Sequence, residues 1–336
     1  MNIVLLHTPV LKPLNTALVC LKAVTITTVA LLFLSACAAT GEKAHNPIND
    51  YRTFHFDGET QIGKIGDSYT ADLVIYGSED QYMLMEALIK EFQEQHPHIK
   101  SIYVETASSD LILKAHILKQ GRVNGILTAT NPDLYATLNL ENLKQLHAKN
   151  IMAEYMIYAH NKLALMIAQD NPKQIVSFKD LGRNDLVHSH PNPLTEEIFR
   201  EYGSHLFKQL GLFRKLTNYS KCKQCWAIKG KTWFTRRHQQ ETPQRIEAGL
   251  ADIGLTWSTE IIDAKNRGYK IEGIAIPDRY NQRHKINYML GMLTSGRNPE
   301  NAQDFISYLQ TDEAQKILTQ YGFIKATPAE RVLKKI

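Results

Sequence analysis

Apolar and polar positions alternate between two periods along most of this chain. Ala71-Asp72-Leu73-Val74-Ile75-Tyr76 is a short apolar run that reads as a buried strand. Gly77 ends it, and Ser78 with Gln81 has the spacing of a capping box. Leu84, Met85, Leu88, Ile89 and Phe92 then recur at helical intervals as one apolar stripe, which His96-Pro97 stops. The alternation repeats: a strand at 102–104, then a helix through Leu111, Leu113 and Ile117 capped by Ser108 or Ser109. A strand at 125–128 leads into Asn131-Pro132-Asp133, where Asn followed by Pro predicts a helix start. The same signal recurs at Asn192-Pro193 and Asn298-Pro299, with Thr242-Pro243 as a variant. Further strands are predicted over 163–168, 185–188, 252–256, 274–276 and 288–293, before helices over 302–309 and 313–321. Strands alternating with helices predict an α/β protein with parallel sheets and crossover helices.

The first 36 residues follow another pattern. Residues 23–36 carry no charge, Lys12 and Lys22 lie upstream, and no acid precedes Cys37. That is the layout of a secretory leader, and its fourteen-residue run is short of the roughly twenty that a spanning helix needs. Leu34-Ser35-Ala36-Cys37 resembles a bacterial lipobox, which implies cleavage before Cys37 and acylation of its thiol with palmitate-type chains. An uncleaved anchor helix with an incidental Cys is the competing reading. Residues 37–70 read as a flexible tether with an ordered patch at 51–56.

The remaining 300 residues are long for one core and natural for two lobes. Removing the two leader lysines leaves 37 basic against 34 acidic side chains, a net of +3. With no Lys/Arg run longer than a pair, this excludes a dedicated nucleic-acid binder. Cys222 and Cys225 are the cysteines left over, and an exported compartment predicts a disulfide between them. A redox pair, or a metal site completed by His188, His190 and His238, are the alternatives. A His-x-His on an extended segment points both rings to one face.

Ligands of open α/β sheets sit beyond the carboxyl ends of strands, where helix N-termini offer free N–H groups to anions. Here those junctions carry Ser78, Ser108/Ser109, Thr128/Thr130/Asn131, Asn192/Thr195 and Ser258/Thr259. Arg236 or Arg237 would add a bidentate clamp for a carboxylate or oxyanion. No Gly-x-Ser-x-Gly elbow, P-loop or His-Glu-x-x-His is present. Glu196-Glu197, adjacent on one helix, reads as solvated. The expectation is a binding protein without a cofactor, and not an enzyme.

Four segments carry a resemblance. They are Val74-Ile75-Tyr76-Gly77-Ser78 with the helix ending Phe92-Gln93-Glu94-Gln95-His96-Pro97; residues 124–133; Glu247-Ala248-Gly249-Leu250-Ala251-Asp252-Ile253-Gly254-Leu255-Thr256-Trp257; and 305–323, closing in Tyr321-Gly322-Phe323. In this order the chain resembles bacterial extracellular solute-binding proteins of the type II, molybdate-binding-like class. That resemblance implies two α/β lobes closing on a small ligand for the permease of an ABC importer. The expected division is leader 1–36, tether 37–70, first lobe 71–160 plus 286–336, and second lobe 161–285. By position, Ser78 and Ser108 or Ser109 match the first-lobe hydroxyls that grip the oxyanion in molybdate binders. Trp257, Ser258 and Tyr288 match second-lobe and hinge contacts, and Thr130, Asn192, Thr195 and Arg237 complete the expected ligand set. Tyr76-Gly77-Ser78 stands where molybdate binders have Ala-Ala-Ser, and 188–195 replaces a shorter Asp-Pro turn. The resemblance therefore implies a small anion, oxyanion or carboxylate, rather than molybdate specifically. The implied molecule is a monomer held in the cell envelope by lipid on Cys37. In a Gram-negative source that is the periplasmic face of the inner or outer membrane.

Overall fold

The computed structural model describes residues 53–56, 61–68, 70–119, 122–123, 126–127, 131–219, 226–235 and 241–336. The expected leader, Cys37, Thr130, Cys222, Cys225, Arg237 and His238 lie outside the described residues.

Along the chain come strands β1 (Thr53–Phe56), β2 (Gln61–Ile65) and β3 (Leu73–Ser78), helix α1 (Tyr82–Gln95) and strand β4 (Ile102–Ala107). A short hairpin, β5 (Arg122–Val123) and β6 (Ile126–Leu127), precedes β7 (Leu134–Thr137), α2 (Leu140–Ala148) and β8 (Glu154–His160). A second set follows: β9 (Leu163–Ala168), β10 (His188–His190), β11 (Trp226–Ile228), β12 (Thr232–Phe234), α3 (Glu241–Glu247), β13 (Ile253–Trp257), α4 (Ser258–Asn266) and β14 (Ile271–Ala275). The chain closes with β15 (Asn287–Met292), α5 (Pro299–Gln310), α6 (Asp312–Gln320), β16 (Ile324–Lys325) and β17 (Lys334–Lys335).

Two mixed sheets result. The first runs β1-β2-β4-β3-β7-β15-β8-β16, with β17 on β8, and the second runs β11-β12-β10-β13-β9-β14. We call each sheet with its helices a lobe. Pairing is parallel where crossover helices intervene (β3 with β4 and β7; β10 with β12 and β13) and antiparallel at the strands next to the two crossings. The chain crosses from β8 to β9 through Asn161-Lys162, and returns from β14 to β15.

Every residue of β3, β4 and β7 is buried, as strands covered on both faces must be. The predicted stripe of α1 is its buried face: Leu84, Met85, Leu88, Ile89 and Phe92 are all nearly inaccessible. The second lobe's Gly249–Gly254 segment has a physical reason at each end. Gly249 takes φ +68°, which turns the chain out of α3. A Cβ on Gly254 would lie 2.3 Å from the Thr242 methyl, so only glycine lets α3 pack this close to β13.

Three expectations need correction. Asn131-Pro132 starts no helix; the following residues form β7, and α2 begins later, where the Asn139 carboxamide accepts from Glu141 N. The reason is Asp133, fully buried, whose carboxylate accepts from Val74 N and Asn298 N (both 2.8 Å) and ties this loop to β3 and to the start of α5. Residues 126–127 belong to the separate β5–β6 hairpin instead of the sheet. Within 37–70, β1 falls in the ordered patch expected at 51–56, but β2 is a further strand, and it pairs antiparallel with β4. A strand edge is satisfied by backbone hydrogen bonds alone, so a segment poor in apolar clusters can still join it.

Candidate functional site

The carboxyl ends of the parallel strands of both lobes converge on one cleft. Its lining is Ser78, Glu79, Asp80, Ser108, Ser109 and Leu138 from the first lobe, and Thr195, Glu197, Ile198, Arg200 and Trp257 from the second. The cleft is narrow: its interior volume is about 30 Å3, room for a water-sized or small ionic group as the lobes stand here.

On the first-lobe wall, Ser78 is buried at the end of β3, and its side chain makes no capping bond. The expected capping box is therefore absent. The turn after β3 is a 3-10 turn (Glu79–Gln81), and the Gln81 carboxamide accepts from the Tyr158 hydroxyl instead of reaching back. Ser78 Oγ meets Ser109 Oγ at 3.3 Å, and Ser109 Oγ accepts from Thr137 Oγ1 at 3.3 Å. Ser108 caps the following helix, accepting from Leu111 N.

The opposite wall is built by the 188–200 segment. Asn192 is buried and does not face the cleft; its side chain accepts from Leu194 N and donates to Thr235 O. This is an Asx turn. Glu196 braces it, accepting from Asn192 N at 2.8 Å and from the Thr235 hydroxyl. The braced turn feeds the π-helical stretch Ile198–Gly203 and brings Thr195, Glu197 and Arg200 to the cleft. The reading of Glu196-Glu197 as a solvated pair is thus overturned. Adjacent residues do point apart, but one carboxylate holds the turn and the other lines the site. Trp257, at the end of β13, packs edge-on against Tyr202 with ring centroids 5.5 Å apart.

Ser258 and Tyr288 sit at the crossing, behind the cleft wall. Asn161, fully buried, accepts from Ser258 Oγ (2.9 Å) and donates to Thr259 Oγ1 (3.0 Å) and to Tyr288 Oη (3.1 Å). The Tyr288 hydroxyl in turn donates to Asp80 Oδ2, which links the crossing to the cleft. Asp80 Oδ1 is buried without a hydrogen-bond partner, and so is Thr195 Oγ1.

Carboxyl groups dominate the electrostatics. Burial pushes Asp80 up to about 6, partly offset by the Tyr288 hydrogen bond. Burial, with the charge of Asp80 across the cleft, pushes Glu197 up to about 7. Glu79 is raised well above the carboxylate range by burial and by Glu196, Asp80, Glu197 and Glu260. Arg200, which donates to Leu194 O, is the one basic side chain in the lining among the described residues. Sequence reasoning missed Glu79, Asp80, Glu197 and Arg200. Their signal was a pair of acidic dipeptides at two of the very junctions singled out for hydroxyls.

His188 and His190 lie inside the second sheet, buried on β10, with ring centroids 5.3 Å apart on one face as expected. Burial holds His188 down at about 4 and His190 well below the ordinary range. No three His, Cys, Asp or Glu side chains among the described residues form a group fit for a metal ion. No helix among them is long and apolar enough to cross a membrane.

Residues 73–324 match the family described as bacterial extracellular solute-binding protein. The chain belongs to that family. It is a solute-binding protein and not an enzyme. It is 22% identical over 242 residues to YvgL of Bacillus subtilis, described as a substrate-binding lipoprotein of an ABC transporter, across 71% of this chain and 81% of that one. Its fold is similar to the periplasmic molybdate-binding protein of Azotobacter vinelandii (TM-score 0.58, 19% identity, 76% of this chain and all of the other). It is also similar to iron-bound HitA of Pseudomonas aeruginosa (TM-score 0.55, 14% identity, 77% and 91%). Both are type II periplasmic-binding folds, which is the architecture seen here.

Proposed function

We propose that this solute-binding protein captures a small ligand in the cleft between its lobes and presents it to the permease of an ABC importer from a lipid anchor on Cys37. The observation that carries the reading is the convergence of strand ends from two separate sheets on one small cleft whose polar atoms include buried, unsatisfied ones. The ABC-transporter role and lipoprotein form of the Bacillus subtilis relative support it. Neighbours of this fold include proteins described as binding molybdate and iron, so the architecture by itself is silent on the charge of the cargo.

For a small anion, the donors on hand are the hydroxyls of Ser78, Ser108, Ser109 and Thr195 and the Arg200 guanidinium. Such a ligand would need protons on Glu79, Asp80 and Glu197 and would bind more tightly as pH falls. A metal or redox role through His188 and His190 finds less support, because both rings are interior and Cys222, Cys225 and His238 lie outside the described residues.

Native mass spectrometry of the purified full chain tests capture. The expected result is a retained small molecule that leaves on denaturation and is held roughly tenfold more weakly by Ser78→Ala, the loss of one hydrogen bond to a charged group. A chain that retains only a divalent metal, equally well in Ser78→Ala, would overturn the reading.

A further inference from the structure

Granting that the cleft is the capture site, its charge identifies the class of cargo. Three carboxyl groups, Glu79, Asp80 and Glu197, line it against one guanidinium, Arg200. Glu196 and Glu260 stand close enough to Glu79 to add to its field. The groups facing these carboxyls from the crossing and from the 198–203 stretch, Tyr288 and Tyr202, are neutral phenols, and they contribute no positive charge. Arg200 donates to Leu194 O, and its charge partly offsets the rise at Glu197.

Asp80 supplies the second, independent observation. It is 2% exposed and lines the cleft; Tyr288 holds one carboxylate oxygen, and the other has no partner within the protein. A buried acceptor without a donor is costly, and a ligand N–H would satisfy it. The Thr195 hydroxyl is unsatisfied on the facing wall. The open valence of Asp80 is an acceptor, whereas the Thr195 hydroxyl can donate or accept. The carboxyls do not form a grouped metal-ligand set. Leu138, Ile198 and the Trp257 ring interleave with them and offer apolar contact to a carbon skeleton.

We propose that the ligand of this cleft is a small organic cation, with an ammonium or amidinium group donating to Asp80, Glu79 and Glu197 and an apolar body against Leu138, Ile198 and Trp257. Closing the lobes around such a group pairs carboxylates of both walls with one positive charge, where the empty cleft sets them against one another. Burial first, and for Glu79 and Glu197 the neighbouring carboxylates as well, raises the proton affinity of these groups, and binding a cation would release their protons.

Isothermal titration of the full chain in detergent tests this with two sets of probes: 1,4-diaminobutane, benzamidine and methylammonium against molybdate, sulfate and succinate. At least one cation is expected to bind, more tightly as pH is raised from about 5.5 to about 8, with proton release into the buffer. Glu79→Gln and Glu197→Gln should each weaken it at least roughly thirtyfold while circular dichroism shows the fold retained. Binding of anions alone, tightening toward acid pH, would overturn the cationic cargo and leave capture standing. So would retention in native mass spectrometry of an anionic or neutral solute with no response to the cations. A chain that binds neither set and retains no solute would overturn both.

Discussion

At the residue scale, Glu197 shows how burial turns an ordinary side chain into a pH-sensitive one. A carboxyl raised to about 7 keeps in the folded state a proton that the unfolded chain gives up near its ordinary range. Its stability contribution is full below that range and is lost as pH climbs through about 7; Asp80 does the same through about 6. His188 has the opposite sign, because its pKa is lowered to about 4, so it adds stability as pH rises from there to about 6.5. Above that point the carboxyls alone decide. The ligand-free protein should therefore melt at lower temperature at about pH 8 than at about pH 6.5. Glu197→Gln should remove much of the drop, up to about 3 kcal/mol; a scanning-calorimetry series checks both, and an unchanged slope in the variant would remove Glu197 as the cause. The hydroxyls of this site were legible from strand-end position. The carboxyls were not, because an acidic dipeptide after a strand reads as a solvated helix start. What buries Glu79 and Asp80 against Glu196 and Glu197 is the meeting of segments more than a hundred residues apart.

At the scale of elements, Asp133 accounts for the main departure from the sequence reading. One fully buried carboxylate accepts from Val74 N in β3 and from both Asn298 N and Asn298 Nδ2 at the start of α5. A turn spent on long-range ties cannot also cap a local helix. Asp133→Ala would strand the buried Val74 N–H and take the acceptor from two part-buried Asn298 donors, so urea unfolding is expected to show about 2–4 kcal/mol of lost stability. A loss below about 0.5 kcal/mol would mean that water replaces the carboxylate. Asn298-Pro299 was legible because its helix is local and Pro299 occupies its first position. Strands β1 and β2, at one margin of the first sheet, were harder, since ladder hydrogen bonding leaves little trace in side-chain pattern. Periodicity recovered the elements that bury a stripe and missed those held by backbone or by a single distant carboxylate.

At the scale of the whole molecule, the α/β class was readable from alternating periods, whereas two lobes were expected from chain length and the family resemblance. Contact between the lobes was not readable from either. Tyr82, in the first turn of α1, donates its hydroxyl to Asp263 Oδ2 of α4 at 2.6 Å, and Arg267 Nη1 lies 3.4 Å from the same oxygen. This bond joins the lobes without lining the cleft. Tyr82→Phe should lower ligand affinity several-fold, about 1 kcal/mol for one hydrogen bond, while touching no ligand atom. Small-angle scattering should show a larger mean radius of gyration for the ligand-free variant, and equal radii and affinities would dismiss the bond as a latch.

Against that latch stand the facing carboxyls, Glu79 and Asp80 on one lobe and Glu197 on the other. Above neutral pH they push the walls of a vacant cleft apart, and cargo cancels the push. Vacancy and occupancy thereby acquire different shapes through charge alone. A transporter that recognises the closed shape would then seldom engage a vacant receptor, and little ATP would be consumed on strokes that carry nothing.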